Sequence, residues 1–294
     1  MTDIATLNDL QTARRARVRL LSTTVRYVFL FAVGLIMLYP LIWLVGASFK
    51  TNSEIFSGAG FIPENPTLDG YIRGWETSTP YTFGRFFWNS FLIILPKVIG
   101  TAISCTMAAY AFARFDFPFK KILFGSVIAI LLLPNVVTRI PQYILFRDLG
   151  WLDSFLPLWV PSAFAGDAFF VFMLVQFLRS LPADMEEAAR VDGANSLQTL
   201  IYIVVPMLAP ALISVCLFQF MWTMNDFLGP LIYLSSVEKY PVSLALKLSI
   251  DTTEAFEWNR ILAMSVLTIA PALIVFFAAQ RYFIEGISSG GVKG

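Results

Sequence analysis

At 294 residues the chain has the length of two soluble domains, yet 57% of its residues are hydrophobic, only 14% are charged and the mean hydropathy is +0.70. An ordinary soluble domain is about 25% charged, so this much apolar surface points to a membrane instead. A net charge of +1 without a basic block excludes nucleic acid binding, and the absence of histidine excludes Ser-His-Asp and Cys-His catalysis and any His-ligated metal. The two cysteines, Cys105 and Cys216, both lie in apolar stretches and read as buried, inert thiols.

Residues 1 to 26 are polar and carry Arg14, Arg15, Arg17, Arg19 and Arg26. The apolar run that follows is 23 residues long, too long for the core of a secretory signal, and no small-residue cleavage site follows it. It reads as a retained first span. Charge-free intervals of 33 residues between Asp192 and Asp226, and of 20 between Arg260 and Arg281, are also of membrane length. Six spans are predicted, at residues 27 to 49, 86 to 113, 122 to 146, 155 to 178, 200 to 222 and 261 to 280, with Arg139 and Asp167 interrupting the third and fourth.

Orientation follows from the cations. With the N-terminus inside, twelve Lys and Arg fall on inner segments, and seven fall on the much longer outer ones: Lys50, Arg73, Arg85, Arg147, Lys239, Lys247 and Arg260. Trp88, Trp151, Trp159, Trp222 and Trp258 cluster near the outer ends, as an interfacial belt would place them. Both termini are therefore expected in the cytoplasm. Every span contains proline: Pro40, Pro96, Pro134 with Pro141, Pro157 with Pro161, Pro206 with Pro210, and Pro271. Each removes a backbone donor and frees a carbonyl that lipid cannot satisfy, so either neighbouring helices or a wet pathway must serve it.

Between the fourth and fifth spans, residues 180 to 196 form an inner loop that is acidic, against the positive-inside trend. Asp184 is placed to cap a short helix with Glu187 three residues on, Gly193 suits a left-handed C-terminal cap, and Ser196 can cap the next helix. Ala188 and Ala189 leave the short helix a face without bulk, fit for docking into a cleft of another protein. Glu187-Ala188-Ala189, then Gly193, Ile203 and Pro206, resemble the EAA motif of ABC importer permeases, with Val205 standing where that motif usually has Leu.

The likeness extends over nearly the whole chain and narrows to the MalG-like inner-membrane permeases of carbohydrate ABC importers. It is carried by residues 61 to 71, by Asn89-Ser90 with residues 108 to 114, by residues 141 to 150, by residues 225 to 231 and by the tail from Arg281 to Gly294. The resemblance implies an all-α membrane protein, a six-helix permease bundle with a MetI-like core and a cytoplasmic coupling helix. On this reading residues 1–26 are a cytoplasmic arm, 27–284 the permease domain and 285–294 a cytoplasmic tail. It further implies a bacterial inner-membrane complex with a sister permease, two cytoplasmic ATPase subunits and an extracytoplasmic solute-binding protein.

The chain has no phosphate-binding Gly-x4-Gly-Lys-Ser/Thr loop, so ATP and magnesium are expected on the ATPases and no cofactor or enzymatic activity on this chain. The coupling residues implied are Glu186, Glu187, Ala188, Ala189, Asp192 and Gly193, with Glu187 pairing to a basic residue of the ATPase. The outer loops 50 to 85 and 235 to 259 are expected to receive the binding protein.

Two other classes compete. A gradient-driven secondary transporter would show an inverted repeat, which is not evident, and an intramembrane hydrolase would need Ser-Lys or paired-Asp chemistry, for which no motif exists. Lys97, Arg139 and Asp167 are departures from the family pattern at membrane depth, while Asn225 and Asp226 belong to it, with Asp226 expected near the outer surface. Those three departures would give a cavity about one positive charge. The resemblance implies a saccharide substrate; these charges make an acidic one the sharper hypothesis, with ion pairing between spans as its rival.

Overall fold

The computed structural model describes residues 2–57, 60–77, 79–251 and 257–291; among them it contains helices and loops and no strand. In chain order come α1 (Thr2–Ala47), α2 (Asn52–Ser57), α3 (Asp69–Glu76), α4 (Phe83–Arg114), α5 (Lys120–Leu132) and α6 (Asn135–Asp148). After α7 (Leu156–Trp159) and a 3-10 turn at Val160–Phe164 follow α8 (Ala168–Ser180), α9 (Asp184–Val191) and α10 (Ser196–Thr199). A π-helical turn at Leu200–Val204 leads into α11 (Val205–Met207) and α12 (Ala209–Met224). Last come α13 (Leu228–Tyr233), α14 (Val242–Asp251) and α15 (Trp258–Gly291).

Four segments are long and apolar enough to cross a bilayer: Arg19–Ala47, Phe83–Arg114, Leu156–Ser180 and Trp258–Gln280. The predicted third and fifth spans are not straight. Lys120–Leu132 and Val136–Asp148 meet at 108°, across Leu133 in an extended conformation before Pro134, as the residue before a proline prefers. Ser196–Met207 and Ala209–Met224 meet at 79°. Pro206 and Pro210 each withhold an amide there and the π turn adds a further break. The span predicted over 200 to 222 is thus a bent pair, with α12 as its longer arm.

The described chain divides into two units, Met1–Tyr71 with Glu257–Val266, and Ile72–Phe256 with Leu267–Gly294. In the first, the loop after α1 is tied down by buried polar groups. Lys50, 3% exposed, donates to the Gly60 carbonyl at 2.7 Å, and the Glu54 carboxylate accepts from the Glu64 amide at 2.6 Å. The Asn52 side chain accepts from the Asn259 amide at 3.0 Å and so joins the start of α15 to α2.

In the second unit the core lies between α4, α8 and the α10–α12 stretch. Phe170, Val171, Leu174, Val175 and Leu178 recur at helical spacing along one face of α8, against Cys105, Ala109 and Tyr110 of α4 and Leu208, Ala211 and Val215. Cys105 is buried as expected, whereas Cys216 is only half-buried. The segment from Glu238 to Val242 is pinned to α4 as well. The Asn89 amide donates to the carbonyls of Glu238 and Tyr240 at 2.7 and 2.9 Å, and the Ser90 hydroxyl accepts from the Val242 amide at 2.9 Å. α14, with Val242, Leu244 and Ala245 buried, is therefore a packed helix inside what reads in the sequence as one long outer loop; residues 252–256 of that loop lie outside the described residues.

Candidate functional site

The acidic inner loop folds as a short helix, a tight turn and a second helix, but with different caps from those expected. α9 starts at Asp184 with no side-chain cap on its N-terminal amides, so the Asp184–Glu187 box does not form. Its C-terminus ends on Gly193 at φ +89°, with the Gly193 amide donating to the Arg190 carbonyl and the Ala194 amide to the Ala189 carbonyl. That paired pattern closes the helix and calls for a left-handed residue, which glycine adopts without a Cβ penalty. The next helix is capped by Asn195 rather than Ser196: Asn195 accepts from the Gln198 amide at 2.9 Å, and the Gln198 side chain accepts from the Asn195 amide at 2.9 Å. A reciprocal box needs an acceptor three residues on, and from Asn195 that is Gln198.

The acidic pair in α9 splits into two roles. Glu186 is 3% exposed, and its Oε1 accepts from Arg114 Nε at 2.6 Å. Arg114, the last residue of α4, also donates through Nη2 to the Leu181 carbonyl at 3.1 Å. Glu186 is thus turned inward as an anchor between α9 and α4. Glu187, Ala188, Asp192 and Gly193 are exposed and Ala189 is half-buried, so one face of the helix is left for another surface. Arg114, which the sequence offered only as one of the inner cations, is the residue that holds the loop.

A second constellation lies where helices break. A cavity of about 270 Å³ is lined by Lys97, Arg139, Asp167 and Asp226, with Thr138, Gln142, Phe146 and Tyr233 among its other walls. All four charges singled out in the sequence meet there. Asp226 is half-buried in this wall, so the cavity holds a fourth charge beyond the three expected there, and it brings the formal sum from plus one to zero.

Asp167 precedes α8 after a left-handed turn at Ala165, and its carbonyl accepts from the Phe170 and Val171 amides. Its Oδ2 accepts from Thr101 Oγ1 of α4 at 3.2 Å and from Gln219 Nε2 of α12 at 3.3 Å. The Ser104 hydroxyl bridges the same break, donating to the Ser162 carbonyl at 2.8 Å and accepting from the Ala165 amide at 3.0 Å. Irregular backbone at this depth is tolerated because protein groups or a wet cavity satisfy it. Thr101 and Gln219 were missed in the sequence; the available signal was a polar residue inside an apolar span.

Asn225 does not join the cavity. Its side chain donates to the Met221 carbonyl at 2.8 Å, and it lines a separate apolar depression with Trp222 and Phe276. In the turn before α7, Asp153, at φ +54°, gathers the Ser235 and Ser236 amides, the Ser236 hydroxyl at 2.6 Å and Lys239 Nζ at 2.8 Å. Burial pushes the Asp153 carboxyl up, but the Lys239 ammonium and the serine donors outweigh it and hold the group well below the usual carboxylate range.

Comparison with known proteins supplies the context for both constellations. Residues 100–289 match the family described as "Binding-protein-dependent transport system inner membrane component". The chain is 33% identical over 264 residues to a "probable ABC transporter permease protein" of Pyrococcus horikoshii, covering 90% of this chain and 95% of that protein. It is 31% identical over 269 residues to the arabinooligosaccharides transport system permease protein AraQ of Halalkalibacterium halodurans, covering 89% and 93%. A chain in the crystal structure of a bacterial ABC transporter involved in the import of the acidic polysaccharide alginate aligns with a TM-score of 0.78 at 26% identity, over 88% of this chain and 95% of that one.

Proposed function

Since the chain belongs to the family of binding-protein-dependent transport system inner membrane components, we propose that it is the subunit through which an ATP-driven importer moves a saccharide. Family membership makes it a membrane permease of an ABC importer and not an enzyme or a gradient-driven transporter: hydrolysis belongs to a separate ATPase subunit, and a solute-binding protein delivers the cargo. The saccharide reading is supported by the arabinooligosaccharide and alginate cargoes named for its relatives.

In the assembly proposed, a sister permease completes the pathway, two cytoplasmic ATPases bind ATP and magnesium, and both termini of this chain face the cytoplasm. Residues 292–294 of the tail lie outside the described residues. The observation that carries the coupling role is the division of labour in α9: Glu186 locked to Arg114, and Glu187 and Ala188 left exposed on the same short helix. ATPase closure acts on that face, and the Arg114 anchor passes the movement to α4, which carries Lys97 near its middle, in the cavity wall. Reconstitution tests the assignment. Uptake into proteoliposomes should require the loaded binding protein, the ATPase subunits and ATP; uptake that persists without the ATPases and follows an ion gradient would refute it.

A further inference from the structure

Resting on the saccharide reading above, we propose that the cavity at the helix breaks receives an anionic group of the cargo, a uronate carboxylate or a sugar phosphate, held by Arg139 with Lys97. The formal charge of the four lining residues is zero, so the argument turns on which of them are already engaged. Both carboxylates are. Asp167 is held by Thr101 and Gln219, which are 0% and 1% exposed, and it joins the start of α8 to α4 and α12. Asp226 closes the turn into α13: its Oδ1 accepts from the Gly229 amide at 3.0 Å, and its Oδ2 lies so close to Gly229 that a Cβ there would be 2.5 Å away.

The cations are not so engaged. Neither Lys97 nor Arg139 forms an ion pair among the described residues, and the buried Tyr233 hydroxyl in the same wall as Arg139 is itself without a hydrogen-bond partner. Holding two unpaired cations at membrane depth is costly unless something arrives to pair with them. A neutral sugar asks only for hydrogen-bonding groups and aromatic faces, which Gln142, Phe146 and Tyr233 supply in the same wall. With both carboxylates already accepting from the protein, the unengaged donors of Lys97 and Arg139 are matched best by the oxygens of an anionic cargo. Arginine presents a planar fork that fits a carboxylate or phosphate through two parallel hydrogen bonds, while lysine adds a point charge. At about 270 Å³ the cavity is near the lower end of the roughly 300–1,000 Å³ range of small-molecule sites, the size for one terminal sugar unit rather than a whole oligomer.

The test is uptake by the complete importer in ATP-loaded proteoliposomes, offering separately a uronate trisaccharide, its carboxyl-reduced neutral counterpart and a hexose phosphate. One of the two acidic cargoes should be preferred over the neutral one, and which one identifies the anion. Arg139→Gln should lower uptake of that cargo roughly 10- to 100-fold, the range of a lost charge-assisted hydrogen bond, and lower neutral uptake by less, so that the preference for the acidic cargo collapses. Arg139→Lys should recover part of the loss. Lys97→Gln carries the same expectation and replaces the Arg139 variant if that one fails to assemble. A wild-type preference for the neutral trisaccharide, or equal losses for acidic and neutral cargo, would overturn the inference and leave the saccharide reading standing. Transport of none of the three would overturn both.

Discussion

Arg114→Ala should release the coupling loop. The Arg114–Glu186 pair is nearly closed to solvent, with side chains 12% and 5% exposed, and Glu186 Oε2 is already buried without a partner. Removing the guanidinium therefore strands a carboxylate that has no other hydrogen-bond partner for its side chain among the described residues, and it also frees the Leu181 carbonyl. Breaking a buried pair by deleting one member costs about 3–5 kcal/mol. The lower end applies here, since the pair sits at the end of α4 rather than deep in the core, and about 3 kcal/mol shifts the docked-to-released equilibrium of α9 on the order of 100-fold. Thermal unfolding of the detergent-purified importer, and protease cleavage between residues 181 and 196, would report the release. The double variant Arg114→Met with Glu186→Leu removes both charges, and such exchanges are neutral or stabilising by about 1–4 kcal/mol; it should restore the resistance. Wild-type resistance in the single variant, or a double variant as weak as the single, would refute the reasoning.

Gly193→Ala meets no atom within 4 Å, so its cost is confined to the backbone at φ +89°, about 1–2 kcal/mol; it should weaken ATPase-coupled uptake while leaving membrane insertion unchanged, as uptake and membrane fractionation together would measure. Asp153 titrates below the usual range when folded, so its stabilisation of the 233–239 segment is fully present above about pH 4 and is lost as pH falls through the depressed value. Protection of that segment from proteolysis should fall with acid in the wild type, and Asp153→Asn should remove that dependence. Cysteines placed at residues 116 and 195, in a chain with Cys105 and Cys216 replaced, should resist an impermeant thiol reagent applied from outside intact cells; strong labelling would contradict the topology.

Spans, loop and family were legible because each rests on a local pattern. Charge-free intervals of membrane length located the helices, and the Glu187-Ala188-Ala189 run with Gly193 located the loop. What was not legible depends on contacts between distant segments. Asp226 follows an apolar run, which says where the span ends but not that the break between α12 and α13 turns its side chain toward the cavity shared with Lys97, Arg139 and Asp167. Glu186 and Glu187 are neighbours of the same type, and only the position of Arg114 decides that the first faces inward. The cap at Asn195 was overlooked for Ser196 because both are good cap residues; the acceptor three residues on, Gln198, decides between them. Proline marked the bent spans without giving their angles, since neighbouring turns set how far the chain swings.

The account stands most directly on Glu187. In the reconstituted importer, Glu187→Lys should leave the complex assembled, because the Glu187 side chain is exposed and forms no ion pair or hydrogen bond among the described residues. It should also abolish the stimulation of ATP hydrolysis by loaded binding protein and, with it, uptake. Wild-type stimulation and uptake in that variant would contradict the assignment of α9 as the coupling element.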